Sequence, residues 1–269
     1  MAHFHRIIYF SFVFIYFLSS LGCSATPEPN AAPDSVAEKL YKNALEDLED
    51  SLYPEAIEGF TTVRTKYPYS KWARLSLLKI ADAHLESGKF NQAVNTYRNF
   101  LKYYPKHQQS AYARLQIGNA YFDQIPGDWW FLPPSAEKDQ ANIRRAIQAY
   151  REMTAKFPNA EESKKARQRI KQCRYKLAEH ELYVAKFYFQ RSKFKGTALR
   201  VNYLLSNYGN LGLDAQALLL GAKAHIAQKE LTAAQNKLNR IVEEFNELEE
   251  AQAALELLQG LASNFATEE

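Results

Sequence analysis

Apolar and small residues recur along the chain in one repeated frame. The frame starts from five reference positions, Tyr53, Phe90, Ile143, Phe194 and Leu231. An alanine or threonine follows each of them after three residues, an apolar or aromatic residue after seven, and an aromatic residue after fourteen. These offsets are close to one, two and four helical turns, so the residues share one face of a helix that begins near each reference position. The pattern therefore predicts five helices, each with one buried stripe.

A second helix is predicted ahead of each reference position. Its signature is a small residue nine positions earlier, seen as Ala44, Ala81, Ala185 and Ala222, because small side chains let two helix backbones approach closely. In the first three units a proline follows the final aromatic residue and stops the helix, since proline cannot extend a helix and biases the residue before it away from helical angles. Each unit is thus predicted to be a helical hairpin of about 34 to 37 residues that buries its apolar face against its neighbours.

The third unit is longer than the others. Its small residue is Gly118, which stands 25 positions before Ile143 instead of nine, so sixteen residues have been inserted. The insertion lies within residues 124–141 and contains two adjacent tryptophans, Trp129 and Trp130. Because two tryptophans are costly to leave in water, they are expected either to fold back over the repeats or to meet a partner or lipid surface.

The fourth unit opens with a segment free of proline and glycine. Residues 163–189 are predicted to form one long helix of about seven turns. The whole pattern predicts an all-α fold, an α-solenoid of about five helical hairpins with the long helix in the fourth unit.

The amino terminus has the layout of a secretory signal. Arg6 precedes an apolar run over residues 7–18, and small residues follow the run. The run is shorter than the roughly 20 residues that a membrane-spanning helix needs. Residues 1–22 are therefore predicted to be a cleaved signal peptide.

The cysteine after this signal is a candidate lipid anchor. Leu21-Gly22-Cys23 resembles the end of a bacterial lipobox, in which the cysteine becomes the lipid-modified first residue of the mature chain. Ser24 follows where lipoproteins of the inner membrane typically carry aspartate, so the resemblance implies the outer membrane. Residues 23–35 are rich in proline and alanine and are expected to form a flexible tether. An ordinary signal peptide that happens to contain a cysteine is the alternative.

Charge and cysteine content narrow the functional classes. The formal net charge of +4 falls to about +3 once Arg6 leaves with the signal, and this balance gives no reason to expect a nucleic acid partner. With Cys23 acylated, Cys173 is the remaining cysteine, so no intramolecular disulfide can form and packing must hold the fold. Cys173 lies in the predicted long helix and is expected to be a buried structural thiol.

Catalytic motifs are missing from the sequence. His180-Glu181 begins like a zinc-protease motif, but Val184 occupies the place of the second histidine. His84 and His225 occupy equivalent frame positions and are expected to be packed rings instead of metal ligands. The sequence therefore predicts a protein that is not an enzyme, with no metal and no cofactor beyond the covalent lipid on Cys23.

The hairpins resemble tetratricopeptide repeats over about residues 36–262. The resemblance is carried by Ile117-Gly118 with Tyr121 and by the closing Tyr-Pro pairs. The lipobox, the tether, the five units, the enlarged third unit and the long helix also follow the order of the BamD-type lipoproteins, which the chain resembles. Lys138-Asp139-Gln140 stands where that family often has Arg-Asp-Gln.

The resemblance implies a non-catalytic scaffold of the machinery that folds β-barrel proteins into the bacterial outer membrane, held at the periplasmic face by its lipid. Its partners would be unfolded barrel precursors, bound in a groove over residues 36–123, and the periplasmic domains of the central barrel subunit, docked by residues 142–262. Accessory lipoproteins are further candidates, and residues 263–269 form a tail. A pilotin for secretin assembly and a periplasmic adaptor of envelope constriction stay open as alternatives. A cell-wall lytic enzyme would need an added catalytic domain.

The first helices of such repeats line a concave groove in which peptides lie. Projection onto that face selects Tyr41, Leu45, Leu48, Glu49, Leu78, Asp82, Leu85, Tyr112, Leu115, Asn119, Phe122 and Asp123. This mixture of aromatic, leucine and acidic side chains would suit an extended, partly aromatic peptide. The alternative for the leucines and tyrosines is packing against the adjacent hairpin.

A second set of residues is predicted to dock the central barrel subunit. It comprises Trp129 and Trp130 in the insertion, and Arg174, Glu179, Glu181 and Lys186 in the long helix. The alternative for the helix residues is a solvated face with pairing between side chains four positions apart.

Overall fold

The computed structural model describes residues 33–127 and 135–266, and all regular structure in these ranges is helical. Eleven α-helices and one short 3₁₀ turn, Ser135–Glu137, are present there. In chain order the helices are α1 (Pro33–Glu49), α2 (Tyr53–Lys66), α3 (Lys71–Glu86), α4 (Phe90–Tyr103), α5 (Ser110–Phe122), α6 (Ala141–Lys156), α7 (Glu161–Gln190), α8 (Phe194–Tyr208), α9 (Asp214–Ala227), α10 (Leu231–Glu244) and α11 (Glu249–Ala266). The predicted all-α fold is confirmed. Cys23, Trp129 and Trp130 lie outside the described residues.

The helices pair into five hairpins in the predicted frame. Four of the second helices, α2, α4, α8 and α10, begin at their reference residues, and α6 begins two residues before Ile143. The aromatic residue fourteen positions later caps four of these helices, as Tyr67, Tyr104 and Phe157 do ahead of their prolines, whereas α8 includes Tyr208 and is capped by Gly209. The offsets in the sequence therefore predicted most ends of the second helices, with the start of α6 and the end of α8 as the exceptions.

The predicted stripe forms the core of each hairpin. The side chains seven positions after the reference residues, Phe60, Tyr97, Tyr150, Val201 and Leu238, have no exposed surface. The expected close approach of the two helices is seen in the third hairpin. A Cβ atom built at position 118 would lie 2.3 Å from Cε1 of the Tyr150 ring, so glycine is required there.

The turns inside the hairpins share one backbone geometry. The residue two positions before the reference residue has a left-handed backbone in four hairpins, with φ of 61° at Ser51, 73° at Gly88, 56° at Ser192 and 61° at Lys229. In the second hairpin the Gly88 N–H donates to the Leu85 carbonyl, and the following N–H donates to a carbonyl five residues back. This pair of bonds is a Schellman motif, which satisfies the free carbonyls at the end of the first helix.

The first helices form one layer of the solenoid and the second helices form the other. α1 contacts α3, α5 contacts α7, α7 contacts α9 and α9 contacts α11. Within the described ranges the second helices make no comparable contacts with one another. Because the layer with the closer helices lies on the inside of a bend, the first helices line the concave side.

Two features extend beyond the regular hairpins. α7 is 30 residues long, about eight turns, and the end of the insertion packs against it, where Nδ1 of His180 lies 2.5 Å from the carbonyl oxygen of Ala136. α11 covers the last hairpin by packing on α9 and α10. The long helix was predicted, whereas the sequence pattern did not separate α11 from the fifth hairpin.

Candidate binding groove

Several residues of the predicted amino-terminal groove are buried between helices. Tyr41, Leu48, Leu78 and Asp82 each expose 7% of their surface or less. The Tyr41 ring centroid lies 5.4 Å from that of Phe60, in the same hairpin, and the ring belongs to the core of the first hairpin. These four side chains hold neighbouring helices together.

Asp82 is the acceptor of a hydrogen-bond network that joins three helices. Its Oδ1 atom accepts from the hydroxyl of Tyr97 at 2.6 Å and from that of Tyr112 at 3.1 Å, and its Oδ2 atom accepts from Nζ of Lys79 at 2.9 Å. Burial, followed by the charge of Asp82, raises the pKa of Tyr112 to about 12. Burial also tends to lower the pKa of Lys79, but the adjacent carboxylate outweighs it and the pKa is raised. Both tyrosines therefore act as hydrogen-bond donors to Asp82.

The other residues of the predicted groove range from exposed to buried. Glu49 and Asp123 are exposed, whereas Leu45, Leu85, Tyr112, Asn119 and Phe122 are half-buried and Leu115 is buried. Asn119 accepts a hydrogen bond from the Tyr150 hydroxyl at 2.8 Å, which fixes its amide within the third hairpin. The most accessible candidates are therefore Glu49, at the end of α1, and Asp123, which directly follows α5.

An open concavity runs along α7, and we call it the α7 groove. It joins two hollows, of about 700 and 290 Å³, that share the side chains of Gln168, Arg169 and Gln172. Leu115, Asn119 and Phe122 of α5 form one wall, and Leu211, just before α9, lies at the far end. The remaining lining side chains, all on α7, are Lys165, Lys171, Tyr175, Lys176 and Glu179.

The α7 groove is basic with aromatic walls. The guanidinium carbon of Arg169 lies 4.5 Å from the Phe122 ring centroid, and its Nη1 atom donates to Oε1 of Gln172 at 3.1 Å. Although Asp123 is exposed as a residue, partial burial of its carboxyl group raises the pKa of that group, and the charge of Arg169 acts in the opposite direction. Tyr175 and Glu179 form a hydrogen bond, and burial is the first cause of the raised pKa of Tyr175.

Sequence reasoning assigned none of the basic residues of the α7 groove to a site. The available signal was their spacing, since positions 165, 168, 169, 172, 176 and 179 recur at helical intervals on one face. A polar face on a long helix is also the ordinary signature of solvent exposure, so the spacing alone does not indicate a groove.

Two of the predicted docking residues are engaged within the fourth hairpin. Glu181 is buried and accepts a hydrogen bond from Nη1 of Arg200 at 2.9 Å. Nη2 of Arg174 donates to the carbonyl oxygen of Asn207 at 3.0 Å. Of the other two helix candidates, Glu179 lines the α7 groove and Lys186 is exposed.

Arg174 also faces a hollow on the outer side of the solenoid, between the third and fourth hairpins. This outer hollow has a volume of about 700 Å³ and contains Arg144, Arg151 and the Tyr208 ring. Arginine and tyrosine are enriched in protein interfaces, so the composition of the hollow suits a protein partner.

Cys173 is buried in the described part of the chain. Burial raises the pKa of the Cys173 thiol to about 12, so the group is a neutral, buried thiol at ordinary pH. Across the described ranges no cluster of three or more metal-binding side chains exists, and no helix has the length and hydropathy to cross a membrane.

The architecture defines the class of protein. Helical hairpins stacked in one frame, with small residues at the close approaches and a concave layer of first helices, form a tetratricopeptide-type α-solenoid.

The comparisons with known proteins define the family. A family model named YfiO, outer membrane lipoprotein, matches residues 33–235, and the chain belongs to this family. The outer membrane protein assembly factor BamD of Neisseria gonorrhoeae is 28% identical over 211 residues, which cover 76% of this chain and 78% of that protein. The BamD protein of Xylella fastidiosa strain 9a5c is 26% identical over 220 residues, covering 80% of this chain and 75% of that protein. That of Caulobacter vibrioides is 25% identical over 189 residues, covering 70% of this chain but 59% of the relative.

The solved structures that are similar to this chain have lower sequence identity to it than these relatives do. The TPR2AB domain of yeast Sti1 in complex with pHSP90 has a TM-score of 0.45 and 16% identity, covering 87% of this chain and 86% of that one. The type IV pilus biogenesis factor PilW has a TM-score of 0.36 and 15% identity, covering 82% of this chain and 98% of that one.

Proposed function

We propose that the chain is a non-catalytic scaffold subunit of the complex that assembles β-barrel proteins in the bacterial outer membrane. The observation that carries the proposal is the family match over residues 33–235, which spans the first four hairpins and enters the fifth. Relatives that match most of the repeat array are named outer membrane protein assembly factors. A solenoid with long concave and outer faces is suited to holding two proteins at once.

The proposed location is the periplasmic face of the outer membrane. The lipobox-like Leu21-Gly22-Cys23 supports a lipid anchor on Cys23, and the family description of an outer membrane lipoprotein agrees with it. The tether between the lipid and α1, predicted over residues 23–35, would then end where α1 begins, at Pro33.

Two faces of the solenoid are proposed for two partners. The concave layer of first helices would receive unfolded barrel precursors. The outer hollow with Arg144, Arg151 and Arg174 would contribute to docking the periplasmic domains of the central barrel subunit, because its arginines can pair with carboxylates of a protein surface. Accessory lipoproteins would bind elsewhere on the same scaffold.

The proposal is tested by capturing the full-length protein from gently solubilised membranes through a carboxy-terminal tag. We expect a large β-barrel protein with periplasmic domains to be recovered. A tagged Arg151→Glu variant tests whether the outer hollow contributes to docking the barrel subunit. Lys156→Glu, on the same helix, is the matched control for the change of charge. Recovery of a secretin in place of the barrel protein would reassign the chain to the pilotins.

The lipid anchor has its own test. Cys23→Ser is expected to abolish lipidation, so that the protein is found uncleaved or in the soluble periplasm after fractionation. Normal retention of this variant in the outer membrane, with signal cleavage intact, would contradict the anchor.

A further inference from the structure

The α7 groove combines length, positive charge and an aromatic wall. Its lining runs along α7 from Lys165 to Glu179, which at 1.5 Å per residue is about 21 Å. An extended chain rises about 3.3 Å per residue, so the groove accommodates roughly six residues of a peptide. α7 itself carries eight lysines and arginines and four glutamates.

Arg169 is held in position to bind a carboxylate. Its guanidinium stacks on the Phe122 ring and donates one hydrogen bond to Gln172. A guanidinium has five N–H donors in a fixed plane, so further donors remain for a carboxylate, which arginine can bind in a bidentate manner. Because Phe122 and Gln172 already fix the side chain, less conformational entropy is lost on binding.

The apolar part of the groove complements this charge. Phe122, the Tyr175 ring and Leu211 lie along the stretch that also carries Arg169 and Lys176. Aromatic and aliphatic walls favour an apolar side chain of the ligand beside its charged group. Glu179 lies near one end and would repel a second carboxylate there, so acidic groups of a ligand belong between Lys165 and Lys176.

We propose that the α7 groove binds an extended segment of about six residues that carries carboxylates and at least one aromatic side chain. The segment would belong to an unfolded client protein, and in this respect the inference rests on the proposed function. It moves client binding from the amino-terminal hairpins, where Tyr41 and Asp82 are buried, to the inner face of α7. Its affinity is expected to be salt-dependent, since exposed charges supply part of the attraction.

The test uses the full mature chain and a defined probe. The probe is a fluorescein-labelled hexapeptide with two aspartates and two phenylalanines in a threonine background, followed by fluorescence anisotropy. We expect Arg169→Glu with Lys176→Glu to weaken binding at least tenfold. Arg145→Glu with Lys156→Glu makes the same change of charge on α6, outside both the α7 groove and the outer hollow, and is expected to leave binding within twofold. A peptide with asparagine in place of both aspartates should bind the unchanged protein at least tenfold more weakly. Thermal melting of both variants checks that they are folded.

The possible results of this test distinguish failure of the groove proposal from failure of the proposed function. Equal binding by both double variants would overturn the groove as the site. If the unchanged protein ignores the acidic peptide but still captures a urea-unfolded barrel protein, the groove proposal fails and client binding by the chain stands. If the unchanged protein captures neither, client binding itself fails together with the groove. Loss of peptide binding restricted to the α7 variant supports the proposal.

Discussion

At the scale of single residues, Asp82 is predicted to stabilise the fold instead of contacting a ligand directly. Asp82→Ala leaves the buried hydroxyl of Tyr97 without its acceptor and removes the partner of Lys79. Because unsatisfied buried donors are costly, we expect the free energy of unfolding to fall by about 3 kcal/mol in urea denaturation. Glu86→Ala, one turn further along α3 at an exposed site, is the control and should change it by less than about 0.5 kcal/mol. A stable Asp82→Ala variant that has lost peptide binding would support the original assignment of this residue to the groove.

His84 is predicted to make stability depend on pH. Burial lowers the pKa of this half-buried imidazole below its ordinary value of 6.5, and its Nδ1 atom has no hydrogen-bond partner in the described part of the chain. As pH falls through 6.5, the unfolded chain gains a proton at this position before the folded chain does, so stability present at higher pH is lost. His84→Phe should therefore flatten the decline of the unfolding midpoint between about pH 7.5 and 5.5. Burial also lowers the pKa of His107, so part of the decline should remain. Identical pH profiles for the two proteins would contradict this role.

At the scale of secondary-structure elements, the shared left-handed turn predicts a stabilising substitution. Lys229 has a positive φ similar to that of Gly88 in an equivalent turn, but it carries a side chain that disfavours this backbone region. Lys229→Gly is expected to raise the free energy of unfolding by about 0.5–1 kcal/mol, and Gly88→Ala is expected to lower it by about 1 kcal/mol. Both changes are measured by urea denaturation. If Lys229→Gly instead lowers the free energy of unfolding, the flexibility that glycine adds to the unfolded chain outweighs the backbone strain that it removes from the turn.

Most helices were predictable because the physical constraint repeats in the sequence. Each hairpin has a buried face, so Phe60, Tyr97 and Tyr150 recur at one offset. The close approach of the two helices recurs as a small residue, Ala44 or Gly118. The identity of these residues is set by contacts between helices that are close in the sequence. Such contacts produce a periodic pattern in the sequence.

The candidate site was less predictable because its features depend on which helices become neighbours. Asp82 is a charged residue in the core, and only the folded structure brings Tyr97 and Tyr112 to its carboxylate. Arg169 belongs to a polar helix face, and Phe122 reaches it from the preceding hairpin across the insertion. Polar periodicity predicts that such a face is hydrated, but it does not predict that α5 and the segment just before α9 will enclose it.

At the scale of the whole molecule, α11 is predicted to act as the cap of the solenoid. A stack of hairpins leaves an apolar face at each end, and terminal elements with a polar outer side are needed to cover it. Ala251, Ala254 and Leu261 of α11 pack into one cluster with Leu218 of α9 and Leu238 of α10. The repeated frame of the sequence has no sixth reference position after α10, so the frame does not predict α11 as a separate helix.

Removal of α11 should therefore destabilise the protein and promote self-association. A chain ending at Leu248 uncovers the aliphatic side chains of α9 and α10, and burying such a side chain contributes about 1.5–3 kcal/mol, so we expect a loss of at least about 3 kcal/mol. Thermal melting and light scattering measure the two effects, and a chain ending at Ala266, which keeps all of α11, is the control. The exposed face should also pair with a second copy of the chain, so the apparent mass of the truncated protein is expected to rise with its concentration. A monomeric truncated chain that melts at the same temperature as the control would show that the fifth hairpin is complete without its cap.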